Sequence, residues 1–151
     1  MTDTIIGAFI GVGGAIIGAT IAGIVSYCVA VNITRKQELY REYTIFKEAF
    51  SNELAFLVSD TKPDSSIHGT TYDVLTKALN KHRHAVNMFM LVLPSEKGEG
   101  FNKAWEDYQY PNGYNKDAPF PLIDYEGGDD FEKRKFAHSK ISKLLEVAKL
   151  K

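Results

Sequence analysis

No Asp, Glu, Lys, Arg or His occurs between Asp3 and Arg35, and the run from Ile5 to Ile33 is mostly apolar. Globular core helices rarely stay uncharged that long. An α-helix rises about 1.5 Å per residue, so roughly 20 apolar residues cross a hydrocarbon core about 30 Å thick. The run is longer than needed, which allows tilt or continuation into the interface. The expectation is a mainly α protein: one N-terminal transmembrane helix over 1–34, then a small α-helical domain of about four helices over 35–151. A cleaved signal peptide fits poorly. The terminus Met-Thr-Asp-Thr has no Lys or Arg, and the run is about twice the length of a signal-peptide core.

Orientation is set by the basic residues flanking the run. The N-terminal side carries only Asp3, whereas the other side begins Arg35-Lys36, with Arg41 soon after. Arg35 and Lys36 are the topology residues. They predict a bacterial inner-membrane protein with its N-terminus outside and its C-terminal domain in the cytoplasm. Cys28, the single cysteine, lies inside the run and reads as a small apolar filler, with no intrachain disulfide possible.

The small residues of the run are ordered. Gly7, Gly11, Ala15, Ala19 and Gly23 recur at every fourth position, and Gly14, Gly18, Ala22, Ser26 and Ala30 form a second such row. Positions three and four apart are neighbours on a helix, so the two rows make one smooth face. In lipid, such faces let backbones approach closely, and packing drives association. Gly7, Gly11, Gly14, Ala15, Gly18, Ala22 and Gly23 are therefore the candidate helix-packing residues, toward a second copy or another membrane helix. Gly11-Val12-Gly13-Gly14-Ala15-Ile16 begins like a dinucleotide fingerprint. It lacks the third glycine, the preceding strand and the acidic residue about 20 positions on.

Beyond residue 34 the charge balances. All 18 Lys and Arg lie there, against 19 − 1 = 18 Asp and Glu, since Asp3 is the nineteenth. A neutral domain has no electrostatic footprint for nucleic acid. Its 16 aromatic residues, of 18 in the chain, argue for a packed domain.

Apolar periodicity maps the helices. Leu39, Tyr43, Phe46, Phe50, Leu54 and Leu57 recur at spacings of three and four, with Arg41, Glu42, Lys47, Glu48 and Glu53 between them as the polar face. No Pro or Gly lies between Ser26 and Thr61, so one continuous rod is expected. Residues 61–69 read as a loop. Thr70 resembles an N-cap, with Asp73 three residues on. Leu75, Leu79, His82, Val86, Phe89 and Leu93 form the next stripe, stopped by Pro94. Ser95 is the expected cap of a short helix carrying Phe101, Ala104, Trp105 and Tyr108. The last helix is expected to start near Asp129-Asp130, with Phe131, Ala137, Ile141, Leu144, Leu145 and Ala148 facing the core.

No catalytic constellation, cofactor site or metal site is read from the chain, and an enzyme is not expected. His82 and His84 are two apart, so they point about 200° from each other on a helix and cannot grip one ion. His82 lies on an apolar stripe, where a hydrogen-bonded core histidine is the default. Asp124, Glu126, Asp129 and Asp130 fail the calcium-loop pattern at several places. The segment 109–128, rich in Pro, Gly and aromatics, reads as a loop or small hairpin. Its Tyr110, Tyr114, Phe120 and Tyr125 are residue types that anchor interfaces. They are the candidate contacts for an unknown cytosolic protein, against the alternative that they fold back over the bundle.

His84-Ala85 with Phe89, and Phe101-x-x-Ala104-Trp105-x-x-Tyr108, resemble segments of a loose group of uncharacterised bacterial and phage-associated small membrane proteins. These have one N-terminal anchor and a helical cytoplasmic domain. The resemblance implies placement in the membrane and carries no activity. The functional expectation is a single-pass protein that oligomerises or docks through its Gly/Ala-rich helix and presents a cytosolic interaction module. The alternative is a phage-defence or holin-like effector that depolarises the membrane on assembly.

Overall fold

The computed structural model describes residues 2–58, 69–114, 116, 120–128 and 130–149, and side chains from residue 22 onward. Among these residues there are five α-helices and no strand: α1 (Thr2–Ala49), α2 (Ser51–Val58), α3 (Thr71–Val92), α4 (Ser95–Gln109) and α5 (Asp130–Ala148). A 3₁₀ turn spans Ile123–Tyr125. The chain divides into two compact units, Met1–Glu38 and Leu39–Lys151.

The described residues of the first unit lie within α1. Among the described residues, no helix is long and apolar enough to cross a membrane. The described side chains include only Ala22 to Ile33 of the uncharged run, twelve residues or about 18 Å of helix. The side chains of residues 5–21, which hold most of that run, lie outside them.

The second unit is built on aromatic packing. Phe46 stacks on Phe89 with ring centroids 5.0 Å apart, and Phe101 meets both edge-on at 5.5 and 5.4 Å. Phe50 stacks on His82 at 4.0 Å. These pairs run the end of α1 antiparallel to α3, with α4 closing over the seam. Each such ring pair contributes about 0.5–1.5 kcal/mol beyond its buried area. All four Phe rings are fully buried.

The expected single rod through Thr61 is corrected by a break at Phe50. There the amide of Phe50 bonds the Lys47 carbonyl at 3.2 Å, and Leu54 N–H bonds the Phe50 carbonyl at 2.9 Å to start α2. The Ser51 hydroxyl donates to the Glu48 carbonyl at 2.8 Å. Propensity alone permits an unbroken helix. At the break Phe50 seats against His82, and beyond it Glu53 and Leu57 are buried, contacts that tertiary packing supplies. Glu53 is therefore also corrected, from polar face to buried position.

The start of α3 is as its sequence suggests. Thr70 and Asp73 form a reciprocal capping box. The amide of Thr71, the next first-turn donor, is taken by Asp130 Oδ1 at 2.8 Å, and the Thr71 hydroxyl by the same oxygen at 2.7 Å. Leu75, Leu79, His82, Val86 and Phe89 are buried, and Leu93 is the C-cap. Ser95 is not a cap but the first residue of α4. Pro94 holds the N-cap position in extended backbone without a side-chain bond, because its fixed φ suits the turn out of α3. All of the predicted loop 61–69 except Gly69 lies outside the described residues.

After α4 the chain turns at Gly113 (φ 89°) and at Leu122, a non-glycine residue at φ 66° whose side chain is fully buried. The Leu122 amide bonds the Gln109 carbonyl at 2.7 Å. Asp124 accepts from the Asn112 side-chain amide at 3.0 Å, and its carbonyl accepts from Lys133. In α5, Ala137, Ile141, Leu144 and Ala148 are buried as expected, while Phe131 and Leu145 are half-buried. Arg134 joins the core instead. Its Nε lies 3.4 Å from Asp130 Oδ2, and its guanidinium sits 5.6 and 5.9 Å from the Phe131 and Phe56 rings.

Candidate functional site

The chemistry-bearing residues that converge in the second unit are Glu53 of α2, Lys81 and His82 of α3, and Tyr108 of α4. Glu53 Oε2 lies 3.2 Å from His82 Nε2, and His82 Nδ1 lies 3.0 Å from the Tyr108 hydroxyl. Lys81 reaches in from the surface and donates to both Glu53 oxygens at 2.9 Å. The Tyr125 hydroxyl donates to the Tyr108 carbonyl at 3.0 Å.

Donor and acceptor roles follow from charge. Burial by itself would raise the Glu53 carboxyl, but hydrogen bonds from His82 and Lys81 outweigh it and hold the group at about 2. Glu53 is thus an ionised acceptor near neutrality, so His82 Nε2 carries the proton. Nδ1 is then a lone pair, and the Tyr108 O–H donates to it. Desolvation lowers His82 below its usual 6.5 against the pull of Glu53, and the imidazole is neutral. Burial pushes both Tyr108 and Tyr125 well up, so both phenols stay protonated. Three side chains thus hold their protons in a fixed order through the core. His82 is fully buried, and its ring face is covered by Phe50, so the network wires helices together.

Beside it lies an open groove of about 490 Å³ between α1 and α3. Ile45, Ala49, Ala85 and Met88 line it, together with Arg41 and Lys81. Lys81 is thus shared between the groove and the buried network. His84 also faces the groove, while His82 points into the core.

No protein-family model, curated protein or solved structure matches this chain.

The residues singled out from sequence fall in three places. Of the helix-packing set, Ala22 and Gly23 are exposed, and a methyl added at Gly23 would meet nothing within 4 Å. The surroundings of Gly7, Gly11, Gly14, Ala15 and Gly18 lie outside what the structure describes. Arg35 and Lys36 are exposed. In the candidate partner loop, Tyr114 and Phe120 are exposed and Tyr110 is half-buried, with its ring edge-on to Tyr114 at 5.3 Å. Tyr125 is corrected as a loop contact, because it is buried and bonded to Tyr108 beneath the loop. Sequence reasoning missed Glu53 and Arg134 as buried groups. A signal for Glu53 was present: Phe46, Phe50, Glu53 and Leu57 follow a four-three-four spacing that puts Glu53 on the core stripe.

Proposed function

We propose that the protein is a single-pass inner-membrane protein whose Gly/Ala-rich helix mediates self-association or docking on a partner helix, and whose bundle is a cytosolic interaction module. The observation that carries this reading is the uncharged run between Asp3 and Arg35 with its two aligned rows of small residues. Supporting it, α1 is helical through the whole run, and Ala22 and Gly23 are uncovered within one chain. The basic pair Arg35-Lys36 orients the bundle toward the cytoplasm.

The test is self-association of the full chain in mild detergent, comparing wild type with the Gly14→Ile, Gly18→Ile double variant. Bulky side chains on the small face are expected to shift the oligomer toward monomer. An unchanged oligomer would sink the packing role. Recovery of the chain in a carbonate-washed membrane fraction tests the anchor separately. Depolarisation on induction by wild type, absent in the double variant, would replace the adaptor reading with that of a membrane-perturbing effector.

A further inference from the structure

The second unit carries uncovered apolar side chains at one end. Leu91, in the last turn of α3, is 79 % exposed, Tyr40 is 55 % exposed and Met88 is 41 % exposed. The antiparallel pairing of Phe50 with His82, and of Tyr43 and Phe46 with Phe89, brings this last turn level with the first residues of the unit. Arg41 and Met88 already share one groove. Tyr40, Met88 and Leu91 therefore belong to the end of the bundle at which the chain enters from residue 38.

That end is tethered. From Thr34, the last residue of the uncharged run, to Tyr40 is 40 − 34 = 6 residues. Six residues span at most about 22 Å fully extended and about 9 Å as helix. If Ile5 to Ile33 spans a bilayer, this end of the bundle can lie no farther than that from its surface. A short tether also holds a surface at a millimolar effective concentration, so a contact too weak to form in free solution becomes populated.

Resting on that membrane reading, we infer that Tyr40, Met88 and Leu91 form a docking edge that inserts into the headgroup region of the bilayer and holds the bundle against the membrane. The amphipathic tyrosine suits the interface, and the thioether and leucine suit the acyl boundary. Arg41 beside them is 77 % exposed but lies 3.8 Å from Glu42, and Glu38 and Glu96 are nearby in sequence. With charges mixed, apolar contact drives the docking and anionic lipid is not required.

The test uses the full chain with Cys28→Ala, spin-labelled at Leu91→Cys or at Lys77→Cys, in phosphatidylcholine vesicles. Lys77 is exposed on the same helix, 91 − 77 = 14 residues or about 21 Å away along its axis. The ratio of collisions with lipid-soluble oxygen to collisions with a water-soluble nickel chelate is expected to be several-fold higher at 91 than at 77. Equal, water-like ratios in protein that still floats with the vesicles would overturn the docking edge and leave the anchor standing. A label at 91 shielded from both quenchers would overturn it in favour of a protein surface, such as a second copy. Protein that fails to float would bring down the anchor and the edge together.

Discussion

His82 shows how one residue organises a neighbourhood. An imidazole on an apolar stripe must satisfy two ring nitrogens, and Glu53 and Tyr108 do so from two other helices. The Tyr108→Phe variant strands Nδ1 in the core and is expected to cost about 1–3 kcal/mol. Trp105 is the only tryptophan and its ring lies 5.4 Å from Tyr108, so its fluorescence during urea unfolding reports the loss. A variant as stable as wild type would mean the bond contributes nothing. The network also sets the acid response. Unfolded His82 takes a proton near 6.5 while the native ring resists, so stability starts to fall as pH drops through 6.5. Glu53 stays ionised in the native state to about 2 but protonates near 4.5 when unfolded, so a second loss runs between those values. Glu53→Gln is expected to flatten that lower limb in urea titrations at stepped pH. An unchanged slope below 4.5 would assign it elsewhere.

At the scale of elements, α3 is fastened at its start by a residue of α5. Asp130 accepts from the Thr71 amide and hydroxyl and lies against Arg134, tying a helix N-terminus to a buried cation. Loss of a carboxylate cap costs about 0.5–2 kcal/mol. Asp130→Ala is expected to cost at least that much, because it also removes the acid beside buried Arg134, and to speed hydrogen exchange at the Thr71 amide. Exchange there at the wild-type rate would show that α3 is capped adequately by Thr70 and Asp73 alone. Leu122 is the strained counterpart. A leucine in left-handed backbone costs about 1–3 kcal/mol, and it persists because the side chain is fully buried and its amide is bonded to Gln109. That turn folds Tyr125 under α4 and leaves Tyr114 and Phe120 outside.

At the scale of the whole molecule the chain divides into two compact units, Met1–Glu38 and Leu39–Lys151. Among the described residues, the core of the second unit and the side chains packed on it begin at Leu39. Deleting residues 1–34 is therefore expected to leave a helical fragment that unfolds in one cooperative transition, observed by circular dichroism and Trp105 fluorescence. A fragment with native helicity lost throughout would show that the bundle depends on the N-terminal helix.

Much of this was legible in the chain. The four-three spacing of Leu75, Leu79, His82, Val86 and Phe89 named a helix and its buried face, Thr70 and Asp73 marked its start, and Pro94 its stop. Those are local signals, set by helical period and by caps within one turn. The uncharged run and its two small-residue rows are likewise properties of sequence alone. Tertiary structure decided what depends on residues far apart. Glu53 falls on the core stripe by its spacing, but only Lys81 and His82, arriving from α3, compensate the burial of its charge. Arg134 reads as a solvated charge until Asp130, Phe131 and Phe56 surround it. The break at Phe50, with no proline or glycine to announce it, lies where that ring stacks on His82, a partner 32 residues away in sequence. Local pattern fixes which segments are helices, whereas partners distant in sequence determine which polar groups can afford to be buried.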